Sequence, residues 1–84
     1  MMVGEYIRKL SAELKENHGL DATFEERRVV GMGIKYVIKM WSDPDVPKFI
    51  SFLISDETFA NYEAPQIEAY VKRKFDELKE EFLK

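Results

Sequence analysis

The chain has 84 residues, no cysteine and a formal net charge of −3. That length suits one domain with one core, and the missing thiols exclude disulfides, cysteine-based zinc sites and a cysteine nucleophile. Hydrophobic residues at 45% and aromatics at 13% are too many for a disordered chain, and the acidic balance weighs against a strong nucleic-acid binder.

The opening residues, Met1-Met2-Val3-Gly4-Glu5-Tyr6-Ile7-Arg8-Lys9, carry charges too often for a signal peptide. Residues 2–17 read as an amphipathic helix. Val3, Ile7, Leu10 and Leu14 recur at helical spacing, while Arg8, Lys9, Glu13, Lys15 and Glu16 fill the other side. Asn17-His18-Gly19 is a stop signal, because glycine accepts the left-handed conformation that ends many helices.

Three strands are expected next. The first runs from about Thr23 to Val30. Gly31-Met32-Gly33 follows as a three-residue hairpin loop with its last glycine left-handed. Pairing Val30 with Ile34 sets Glu25 opposite Lys39.

Residues 34–41 alternate. Ile34, Tyr36, Ile38 and Met40 share one face, and Lys35, Val37, Lys39 and Trp41 share the other. Residues 48–55 alternate likewise, Ile50, Phe52 and Ile54 against Phe49, Ser51, Leu53 and Ser55. The intervening Ser42-Asp43-Pro44-Asp45-Val46-Pro47 is turn chemistry. A register pairing Met40 with Ile50, Ile38 with Phe52 and Tyr36 with Ile54 also sets Trp41 opposite Phe49 and Val37 opposite Leu53; a one-residue slip destroys both sets.

A rival pattern runs through the same stretch. Thr23-Phe24-Glu25-Glu26 matches a capping box, and Val30, Ile34, Val37 and Trp41 lie at helical spacing, so residues 24–41 also read as a helix. Gly31 and Gly33 would each cost it about 1 kcal/mol. A short helix over 24–30 followed by two strands is intermediate between these readings.

Residues 56–64 read as an ordered loop or one helical turn anchored by Phe59 and Tyr62. Residues 65–83 form a second long helix that starts at Pro65, with a stripe of Ile67, Val71, Phe75, Leu78 and Phe82.

The expected fold is therefore α+β, in the order α-β-β-β-α, with a three-stranded antiparallel sheet packed on two helices. The alternative is a mostly α chain with 24–41 helical. The first order resembles that of double-stranded-RNA-binding domains in element sequence alone. Where such domains carry lysines at the start of their last helix, this chain reads Ala64-Pro65-Gln66-Ile67-Glu68, and no family is assigned.

The chemistry-bearing residues have bland readings close at hand. His18 is the only histidine, beside a helix end that favours a cation. Asp43 and Asp45 fit a turn better than a cation loop. Glu25-Glu26-Arg27-Arg28 fits charge protection of an edge strand, with an anion site on the arginines as the alternative. Lys72-Arg73-Lys74 spreads around a helical turn as a solvated surface. No catalytic residue, cofactor or metal ligand is assigned, and a non-enzymatic chain is expected.

The informative feature is the second sheet face. Val37, Trp41, Phe49 and Leu53, ringed by Lys35 and Lys39, are the candidate partner-binding residues. If both helices lie on the opposite face, the four apolar side chains expose roughly 300–600 Å², a range that is often functional. The competing expectation is that residues 56–64 fold over them. The strand over 48–55 also lacks edge charges, which invites pairing with a second copy into a six-stranded sheet.

The expected function is a protein-interaction module, a small regulator or inhibitor, homodimeric, cytoplasmic and without a membrane segment. The alternative is binding of single-stranded nucleic acid or RNA, with Trp41 and Phe49 stacking bases while Lys35, Lys39, Lys48 and Arg27 neutralise phosphates.

Overall fold

The computed structural model describes residues 3–83. Its elements run α1 (Val3–His18), β1 (Asp21–Val29), β2 (Gly33–Trp41), β3 (Lys48–Ser55), α2 (Asp56–Asn61) and α3 (Ala64–Leu83). This is the expected α+β order with one short helix added before the last. Met2, placed at the start of the first helix by the periodicity, lies outside the described residues. The helical alternative for 24–41 is overturned: those residues form the β1–β2 hairpin.

The helices form where the apolar stripes predict. α1 buries Val3, Ile7, Leu10 and Leu14, and α3 buries Ile67, Val71, Phe75 and Leu78. α1 ends at the expected point, where the Gly19 N–H donates to the Lys15 carbonyl at 3.0 Å. Lys15 then reaches Asp21 at 3.1 Å, tying the helix end to the start of β1. α2 begins at Ser55, whose hydroxyl accepts from the Thr58 N–H at 3.1 Å in a helix N-cap.

The sheet is antiparallel in the order β1-β2-β3, so the middle strand in space is also the middle strand in sequence. Its even-numbered residues meet the helices. Tyr36, Ile38, Met40, Phe52 and Ile54 are buried there against the stripes of α1 and α3. Each such side chain contributes about 1.5–3 kcal/mol by leaving water, and no disulfide is present to assist.

Both expected registers are corrected by two residues. Ile38 faces Ile50, Tyr36 faces Phe52 and Ile34 faces Ile54, while Met40 faces Lys48. On the other side of β2, Val29 faces Gly33 and Glu25 faces Val37. The cause lies at Gly33. A Cβ built there would stand 2.1 Å from the Ile54 carbonyl oxygen and 2.7 Å from the Ser55 Cα. Only glycine admits that approach, so Gly33 belongs to the strand and not to the loop.

The hairpin turn is instead residues 30–32. The Met32 N–H donates to the Val29 carbonyl at 3.0 Å, and Gly31 takes φ +79°, the value a type II turn needs at its third residue. In the new register the Tyr36 and Phe52 rings stack, with centroids 5.5 Å apart.

Burial, and secondarily the Glu26 carboxylate, pushes the Tyr36 phenol up to about 12 from an ordinary 10.0. Its neutral form is thus favoured by folding. The contribution is fully present below pH 10 and is lost as pH rises toward 12. A Tyr36→Phe variant is expected to show a flatter curve of melting temperature against pH across that window than the parent chain. Identical curves would remove Tyr36 as the cause.

Candidate functional site

All three helices lie on one side of the sheet. α1 and α3 pack on its even-numbered face, and Phe59 of α2 joins the same core beside Ile34 and Tyr36. Tyr62 borders a groove between β3 and α3, with Ser55, Thr58, Ile67 and Tyr70. The expectation that residues 56–64 fold over the odd-numbered face is therefore corrected. The N-cap at Ser55 starts α2 directly after β3, and Phe59 turns from it into the core on the helix side.

The open face is built from alternate residues of three strands. Across the sheet the rows read Asp21 and Trp41; then Thr23, Lys39 and Phe49; then Glu25, Val37 and Ser51; then Arg27, Lys35 and Leu53. Val37, Trp41, Phe49, Leu53, Lys35 and Lys39 do share this face. The two-residue shift removes the expected direct pairs, however. Trp41 and Phe49, like Val37 and Leu53, are diagonal neighbours, a separation aromatic and long side chains still span.

Exposure follows from this checkerboard. Phe49, on the edge strand, is 60% exposed, whereas Val37 and Trp41 are half-buried without a helix above them and Leu53, also half-buried, borders the groove lined by Tyr62 and Tyr70. Val37 lies on the central strand with neighbours on both sides, whereas Phe49 has a neighbouring strand on one side. The Lys39 ammonium sits 5.2 Å from the centre of the Trp41 ring, a cation–π contact.

Lys48 is corrected as a phosphate-neutralising residue of this face. As an even-numbered residue it points to the helix side, 4.0 Å from Glu81 and 5.6 Å from the centre of the Phe82 ring. Arg27 does belong to the open face, directly opposite Lys35.

The other singled-out groups are engaged locally. Asp43 accepts from the Asp45 N–H at 3.0 Å, an Asx turn that closes the 42–47 loop. Arg28 reaches Asp56 at 3.4 Å. Lys72 donates to Asp76 at 2.7 Å, Lys74 lies 3.6 Å from Glu77, and the Arg73 guanidinium lies over the Tyr70 ring. His18 shares a groove with Lys72, Asp76 and Lys79, where Asp76 is taken up by both lysines.

Two exposed residues escaped the sequence reading. Val30 is 93% exposed and Met32 56%, both at the β1–β2 hairpin tip. Apolar residues beside a glycine at a turn were the available signal, but the misplaced loop assigned Val30 to a strand.

Comparison with family models, curated proteins and solved structures finds no match. The reading of the open face accordingly rests on its own geometry. Among the described residues no helix is long and apolar enough to cross a membrane.

Proposed function

We propose that this chain is a non-enzymatic protein-interaction module, a small cytoplasmic regulator or inhibitor that engages a partner through the odd-numbered sheet face and a second copy along β3. The observation that carries the reading is the cluster of Trp41, Phe49, Val37 and Leu53 on a face with no helix above it. Buried aromatics dominate the energy of most protein interfaces, and Trp41 and Phe49 are the natural anchors.

The β3 edge supports the self-association. β3 has one neighbour in the sheet, and its sequence is nearly symmetric about Ser51. A two-fold axis at that residue pairs Phe49 with Leu53 and Ile50 with Phe52 of the second copy. With the axis moved to Ile50 or Phe52, Phe49 falls opposite Ser51 or Ser55 instead.

A second reading has one observation in its favour. The Lys39 ammonium over the Trp41 ring, with Phe49 opposite Lys39, sets cation and ring side by side, as a single-stranded nucleic acid or RNA requires.

Native mass spectrometry of the chain retrieved from host lysate tests the proposal. The expected species is a dimer carrying bound protein that survives raised salt. Ser51→Lys, which sets two lysines face to face at the axis, is expected to give a monomer. Bound nucleic acid released steeply by salt would favour the second reading. A bare wild-type monomer would overturn the first.

A further inference from the structure

We infer that the segment docking on the open sheet face is an acidic, extended stretch of another protein, a reading that rests on the interaction role proposed above. Charge complementarity selects that occupant. Although the chain as a whole carries −3, this face carries three cations, Arg27, Lys35 and Lys39. Among the described residues none of the three takes part in an ion pair, while Asp21 on the same face is engaged by Lys15. Glu25 is the remaining carboxylate in these rows.

Arg27 and Lys35 stand directly opposite each other on neighbouring strands. Like charges in that position destabilise a sheet, so the isolated fold carries an electrostatic penalty that an incoming carboxylate relieves. Lys35 and Lys39 lie four residues apart on one strand, which is about 13 Å. That matches the spacing of residues i and i+4 in an extended partner, with the residue between them facing Val37. The ligand's recognition pattern is thus acidic, apolar, acidic on alternate positions, with Trp41 and Phe49 taking further apolar groups.

Three cations are few for a polynucleotide, whose binders commonly neutralise six to ten phosphates or so. They are sufficient for two or three carboxylates. A second copy of this chain is a poor occupant, because stacking the face on itself brings the same three cations together.

The test uses Trp41, the only tryptophan, as a fluorescence reporter. The probes are a blocked peptide with glutamate, phenylalanine and glutamate on alternate positions, its lysine counterpart, and oligo-dT. The acidic peptide is expected to bind more than about tenfold tighter than the lysine peptide. In Lys35→Glu/Lys39→Glu that preference is expected to reverse. Lys35→Glu alone turns the opposition with Arg27 into an opposite-charge pair. It is expected to raise the melting temperature while weakening the acidic peptide, a combination that a purely structural role for Lys35 does not produce.

Equal binding of the two peptides would overturn this inference and leave the interaction role standing. Tighter binding of oligo-dT than of the acidic peptide would overturn it in favour of nucleic acid. No response to either peptide would also overturn it, and the interaction role would still be judged separately by native mass spectrometry.

Discussion

Alanine in place of Gly33 is expected to destabilise the fold by about 2–4 kcal/mol, the combined scale of overpacking and an unfavourable backbone conformation. The new methyl would meet backbone, the Ile54 carbonyl oxygen at 2.1 Å and the Ser55 Cα at 2.7 Å, and no side chain can rotate away to admit it. β2 and β3 must separate at that end, which loosens the Ile34–Ile54 pair beside it. For a domain this small the melting temperature falls by roughly 10–25 °C. Gly31→Ala is the control. Gly31 has φ +79° but open space around its Cβ position, so only the left-handed backbone is penalised, at about 1–2 kcal/mol. Equal losses in the two variants, measured by thermal or denaturant unfolding, would show that the close approach at Gly33 does not set the register.

Removing both aromatic anchors is expected to have the largest effect on binding. Truncation of Trp41 or Phe49 to alanine weakens an interface centred on them by about 2 kcal/mol each, close to thirtyfold per residue. As diagonal neighbours the two couple, so the double variant should lose several-hundredfold affinity with some departure from additivity. The fold is expected to survive, because the core of Tyr36, Ile38, Met40 and their helical partners lies on the other side of the sheet. Calorimetric titration of the captured partner, with circular dichroism as the folding check, measures both. An affinity within threefold of the parent would remove this face as the docking surface.

The two faces of the sheet were legible because strand side chains alternate with a period of two. Alternation alone places Tyr36 and Ile38 on one side and Trp41 and Lys39 on the other. The register was not legible for the same reason. A slip of one residue inverts the faces and is easily excluded, but a slip of two preserves them. What separates the two-residue alternatives is three-dimensional: the backbone approach at Gly33, the Tyr36–Phe52 stack and the Asx turn at Asp43.

The consequences for the site were specific. Trp41 lost Phe49 as its direct partner, and the Arg27–Lys35 opposition came to light only with the observed pairing. Phe59 escaped because an aromatic in a polar stretch anchors a segment without revealing to which side. Its direction was set by the Ser55 cap, a signal present in the sequence as Ser55 and Thr58 but too common to read alone.

One-sided packing has a consequence for engineering. Because α1, α2 and α3 all rest on the even-numbered residues, the odd-numbered positions of β2 and β3 form a separable alphabet. A library that randomises residues 35, 37, 39, 49, 51 and 53 would vary what the molecule recognises while sparing the helix-covered core, with changed cross-strand pairs shifting the melting temperature from member to member.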